Sequence, residues 1–153
     1  MRPLVGVTAA GALLVSGAFL VFSVMVLPAL RALSTAEGVR AMQSVNRVAV
    51  RPVFMLLLFG TAVLCVLVAV LELRGDRRVL VLAGVGLYLA GAVLVTGLGN
   101  VPLNDTLAAA DPDAAGSVWE SFLTRWTAWN TVRTVTSLAA GAALLAALAD
   151  RSS

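Results

Sequence analysis

Histidine and lysine are both missing from this sequence, and cysteine occurs once, at Cys65. Without lysine there is no Schiff-base chemistry, and without histidine no imidazole ligand for haem, zinc or iron. A lone cysteine supports neither an intramolecular disulfide nor a thiolate metal cage, so no metal site is expected and the redox compartment stays unread. Cys65 lies inside an apolar run and reads as a small core residue. Charge is scarce as well: 12% of the 153 residues are charged, against roughly 25% in an average soluble domain. The 11 basic residues are all arginine and leave a net charge of +3. No basic block with interleaved aromatics occurs, so nucleic acid is not an expected partner.

What the sequence has in quantity is apolar surface, with 60% hydrophobic residues and a mean hydropathy of +0.98. A soluble globule of this length could not bury it. In a bilayer the backbone must satisfy its own polar groups, which helices do locally, so the expectation is an all-α integral membrane protein with the lipid bilayer as its surroundings. Four spans can be drawn, over about residues 4–30, 52–71, 79–100 and 126–149, forming a single four-helix membrane bundle across 1–153. The first is far longer than the roughly 7 to 15 apolar residues of a signal-peptide core, which reads as an uncleaved helix. The fourth reaches full length only by taking Arg133 into its first two turns.

The connections differ in character. Arg74-Gly75-Asp76-Arg77-Arg78 is a tight charged turn. The segment from Arg31 to Arg51 carries Ser34 or Thr35 as N-cap and Glu37 in the first turn, which predicts a juxtamembrane helix, and Pro52 suits the start of the second span. Asp105 to Arg125 reads as an acidic loop. Arg2, Arg74, Arg77, Arg78 and Arg151 lie on the side of the termini, whereas Arg31, Arg40, Arg47, Arg51 and Arg125 lie opposite. The count nearly ties, and the arginine-dense short turn tips the orientation toward cytoplasmic termini. Abundant alanine, valine, leucine and arginine with no lysine suits a bacterial cytoplasmic membrane. An oligomer is compatible with all of this.

Antiparallel threading brings the end of span one, the start of two, the end of three and the start of four to one membrane face, and the unusual polarity gathers there. On a helix Trp126, Asn130, Arg133 and Ser137 fall within about 60° of one another. Thr96, Asn100 and Asn104 share a face of the third span, and Gln43 and Asn46 share a side of the juxtamembrane helix beside Arg40 and Arg47. Polar groups this close to hydrocarbon need partners or a wet cavity, and an intramembrane arginine marks a functional site by default. Two plainer readings stand beside this one. Arg133 could snorkel to the headgroups with Trp126 and Trp129 as an aromatic belt. Asn100 to Asp105 could be a helix terminus and turn.

Three motifs carry a resemblance: Ala41-Met42-Gln43-Ser44-Val45-Asn46-Arg47, Asn100-Val101-Pro102-Leu103-Asn104, and Trp126-Thr127-Ala128-Trp129-Asn130-Thr131-Val132-Arg133-Thr134. With these the chain resembles the anthrone oxygenase-like family of small four-helix membrane proteins. The resemblance implies oxidation of a hydrophobic phenolic or quinone-like small molecule by molecular oxygen, with no cofactor. It implies substrate contacts from Gln43, Asn46, Arg47, Asn100, Asn104, Trp126 and Trp129, and catalytic roles for Arg133 and Asn130 as oxyanion stabilisers. Relatives frequently carry histidine where this chain has Thr131, so Asp105 and Glu120 become the nearest carboxylates for a base. A non-catalytic membrane protein that holds a lipid-like ligand or a partner shares every feature except that base.

Overall fold

In the computed structural model, which describes residues 1–150, helices account for nearly the whole chain, and among those residues there is no strand. Arg151, counted above with the termini, lies outside them. We label the helices α1 (Arg2–Arg31), α2 (Thr35–Ala49), α3 (Pro52–Glu72), α4 (Arg78–Ala108) and α5 (Gly116–Ala149). All but α2 are long and apolar enough to cross a membrane. The chain is therefore an all-α integral membrane protein.

The starts of α2 and α3 follow from their local chemistry. Ser34 caps α2, and its backbone N–H donates to the Glu37 carboxylate at 3.2 Å. The Ser34 side chain also bonds Glu37 and holds its carboxyl below the ordinary range. Pro52 occupies the first turn of α3, where a missing N–H costs nothing.

Two boundaries differ from the sequence expectation. α4 does not stop near Asn100 but continues through Pro102 to Ala108, and α5 begins at Gly116, ten residues before Trp126. The expected acidic loop from Asp105 to Arg125 thus shrinks to residues 109–115. Packing explains the extra helix. Trp119, Phe122, Leu123 and Trp126 recur at helical spacing and bury against Leu27 of α1, Val39 and Met42 of α2, and Leu103 and Leu107 of α4. This apolar cap at one end of the bundle is separate from the main core, in which Val15, Leu58, Tyr88 and Leu144 bring α1, α3, α4 and α5 together.

Small residues set the spacing in that main core. α1 makes its most extensive contact with α5, and a Cβ on Gly141 would come within 2.6 Å of Leu13. A Cβ on Gly84 of α4 would stand 3.0 Å from the Ala140 carbonyl, a backbone atom that cannot step aside. Close approach of this kind is what holds helices together where lipid offers no hydrophobic gain.

Both α1 and α4 widen into π-helix, at Phe22–Val26 in α1 and at Leu89–Leu94 and Thr96–Asn100 in α4. Prolines account for two of these segments. Pro28 and Pro102 lack an N–H and press on the carbonyls of Val24 and Leu98, four residues earlier, and each of those lies inside a π segment. Phe22 of the α1 segment and Thr96 of the second α4 segment line one cavity.

Candidate functional site

Arg133 projects from α5 toward Phe19 of α1 and Thr96 of α4. Its guanidinium lies 4.1 Å from the centre of the Phe19 ring and 5.1 Å from that of Trp126. Nη2 donates to Asn130 Oδ1 at 2.7 Å, and Nη1 donates to Thr96 Oγ1 at 3.2 Å. Only 5% of Arg133 is exposed, so it does not snorkel to the headgroups. Its Nε is buried with no hydrogen-bond partner. The two rings supply a cation–π attraction of about 2 kcal/mol when desolvated, which offsets part of the cost of holding the charge here.

Asn130 secures this arrangement from one turn earlier. Its amide nitrogen donates to the Phe19 carbonyl and to Ser23 Oγ, both at 2.7 Å. The Phe19 carbonyl also accepts from the Phe22 N–H of its own helix, so the Asn130 amide is a second donor to it, and Ser23 lies in the π turn that begins at Phe22. A single carboxamide thus clamps α1 and orients Arg133.

An apolar cavity of about 180 Å³ opens beside the guanidinium. Phe19, Phe22 and Trp126 wall it from α1 and α5, and Phe54, Met55 and Leu58 from α3. Its polar lining is Asn46, Thr96, Asn104 and Arg133. Asn46 Nδ2 is buried without a partner. Asn104 accepts from Trp126 Nε1 at 2.9 Å, which fixes the indole ring against the cavity. The lining is therefore rich in donors, and among the described residues no carboxylate reaches it. Nor do any three cysteine or carboxylate side chains among them gather as metal ligands. The chemistry on offer is recognition of an oxygen acceptor, or an oxyanion, on an otherwise hydrophobic molecule.

The other residues singled out from the sequence take different places. Asn100 is buried beside the site, where its amide donates to the Trp126 carbonyl at 3.3 Å and its Oδ1 has no partner. Gln43 donates to the Leu107 and Ala110 carbonyls at 2.9 and 3.1 Å and so caps the end of α4. Arg47 is exposed. Arg40 pairs with Asp113 across 2.8 Å, an exposed ion pair of small value. Trp129 is 41% exposed and packs on Gly99, outside the cavity. Asp105 and Glu120 are also exposed and away from it. Thr131 lies on the outer face of α5, bonded to the Thr127 carbonyl.

Sequence reasoning missed Phe19, Ser23 and Phe54. Phenylalanines in an apolar run carry no positional signal, and Ser23 matters only because of the π turn. The clue available was Pro28 inside a long hydrophobic stretch.

Comparison with known proteins agrees with the motif resemblance. The family model described as anthrone oxygenase matches residues 50–143. No curated protein and no solved structure matches the chain.

Proposed function

The chain belongs to the anthrone oxygenase family, and from that premise we propose that it oxidises a flat, enolisable aromatic molecule drawn from the membrane. The observation that carries this reading is the buried Arg133 guanidinium, unopposed by any carboxylate among the described residues, at the end of an apolar cavity. The substrate's carbonyl oxygen accepts from Arg133 and Asn46 while its ring packs beside Trp126 and Phe19. As the activated CH₂ loses a proton the oxygen becomes an oxyanion, and a preorganised cation stabilises that charge far better than water does. The electron-rich carbon then adds to oxygen. One oxygen atom stays as the new carbonyl, and the other leaves as water with the two hydrogens of the former CH₂. Asn130 holds Arg133 in register, and no bound cofactor takes part.

With no side-chain base in the cavity, the proton passes to hydroxide, and the guanidinium acts by lowering the pKa of the bound carbon acid. Membranes containing the protein should therefore consume oxygen with anthrone faster than empty membranes. The rate should rise about tenfold per pH unit while the bound carbon acid stays below its pKa. A plateau near the carboxylate range would instead reveal a protein base. The absent base also favours a second reading, a membrane protein that binds the same molecule without turning it over. Retention of anthrone with no oxygen uptake above the empty-membrane control would establish it.

We further assign the termini to the cytoplasm of a bacterial cell, because Arg74, Arg77 and Arg78 crowd the short turn between α3 and α4. Asp76→Cys should react with an impermeant maleimide only from the cytoplasmic side and Asp113→Cys only from the other. The reverse pattern would invert the assignment.

A further inference from the structure

The cavity beside Arg133 is small. A site of about 150 Å³ holds a benzene ring, and drug-sized ligands occupy roughly 300 to 1,000 Å³. The approximately 180 Å³ here encloses one or two rings, so the third ring of an anthrone already reaches past the apolar wall. The cavity does not end at its apolar wall, however. Phe22, Val45, Ala49 and Phe54 also line a wider groove of about 1060 Å³ between α2 and α3. Beyond those four residues the groove is formed by Ala41, Ser44 and Val48 on one side and Val53 and Leu57 on the other, with Arg51 where the two helices meet. Val48 and Val53 are largely exposed, so the groove opens outward between α2 and the start of α3.

We propose that cavity and groove form one site for an amphiphilic substrate. Its phenolic or enolisable head of one or two rings sits against Arg133, and its hydrocarbon tail leaves past Phe22 and Phe54 to lie along the α2–α3 groove. This rests on the reading of Arg133 as an oxyanion partner and narrows the substrate class beyond a bare polycycle. The continuity of the two spaces is the reason: a head seated in the cavity puts a substituent on its outer edge directly into the groove. A tail gains little from apolar burial when it moves from lipid to protein. The groove therefore acts as an exit that must stay open, and obstruction there should be felt only by ligands that have a tail.

The test uses 2-naphthol and 6-decyl-2-naphthol as probes, with binding measured on the full chain in phosphatidylcholine nanodiscs. Partitioning into the bilayer favours the decyl compound equally in every variant, so comparisons are made between variants for one probe. Ser44→Trp puts an indole in the outer groove from a residue that does not itself line the cavity, and should weaken decylnaphthol at least about tenfold, roughly 1.4 kcal/mol, while leaving naphthol unchanged. Val48→Trp should behave in the same way, and Leu98→Trp, on an exposed face elsewhere, should alter neither. Equal binding of decylnaphthol by wild type and both groove variants would overturn the proposal. Loss of naphthol together with decylnaphthol in those variants would overturn it too, because head and tail would then not occupy separate places. Arg133→Leu reports on the other reading: if naphthol binding ignores that change while the groove variants still discriminate, the tail groove stands and the oxyanion partner does not.

Discussion

Replacing Arg133 by leucine is expected to lower oxidation of an anthrone-type substrate by about 10²- to 10³-fold, the usual consequence of removing one preorganised oxyanion donor. The fold should survive, because leucine suits the apolar wall formed by Phe19 and Phe54 and the change removes a buried cation that no carboxylate among the described residues balances. A monodisperse elution profile would confirm that. Arg133→Lys should recover little: an ammonium is a point charge and cannot reach Asn130, Thr96 and a substrate oxygen together in one plane. Arg78→Leu, in the exposed turn at the far end of the bundle, is the matched control and should leave the rate within about twofold. A full rate in Arg133→Leu would remove the guanidinium from the mechanism.

Asn130→Ala is expected to cost both activity and stability. The side chain donates to α1 twice and accepts from Arg133 once, so its removal takes the partner from a buried guanidinium nitrogen and from the Ser23 hydroxyl, at about 1 to 3 kcal/mol for each group left unsatisfied. The guanidinium also loses its orienting partner, and a misplaced donor reduces the rate on the order of 10²-fold. Steady-state oxygen uptake and a thermal unfolding profile would record the two effects separately. Thr131→His makes the opposite prediction. Although the family resemblance implies that histidine is common at this position, Thr131 lies on the exposed face of α5. The substitution should neither add a base to the cavity nor raise the rate by more than about twofold. A large gain would mean that the helix face turns inward when substrate binds.

These two positions mark how far the sequence could be read. Helical periodicity alone places Trp126, Asn130 and Arg133 on one face, and the apolar runs either side of the Arg74–Arg78 turn demand helices. It could not separate a snorkelling arginine from a buried one. That choice depends on Phe19, more than a hundred residues away, being brought under the guanidinium by the packing of α1 on α5. Gln43 shows the opposite failure: a polar residue in the right motif and on the right face spends its amide capping α4.

What the sequence determined by itself was the fold class, the helix starts at Ser34 and Pro52, the family motifs and the end of the bundle where polarity collects. Each of these follows from local periodicity, capping chemistry and the need of a backbone in lipid to satisfy itself. What only the tertiary structure decided was which of the polar residues face the cavity, that Pro102 widens α4 instead of ending it, and that the expected acidic loop is largely helix. Those outcomes depend on contacts between residues distant in the chain, such as Asn130 with Ser23 and Trp119 beside Gly38. No local pattern records such a contact, because its free energy exists only once the helices are packed.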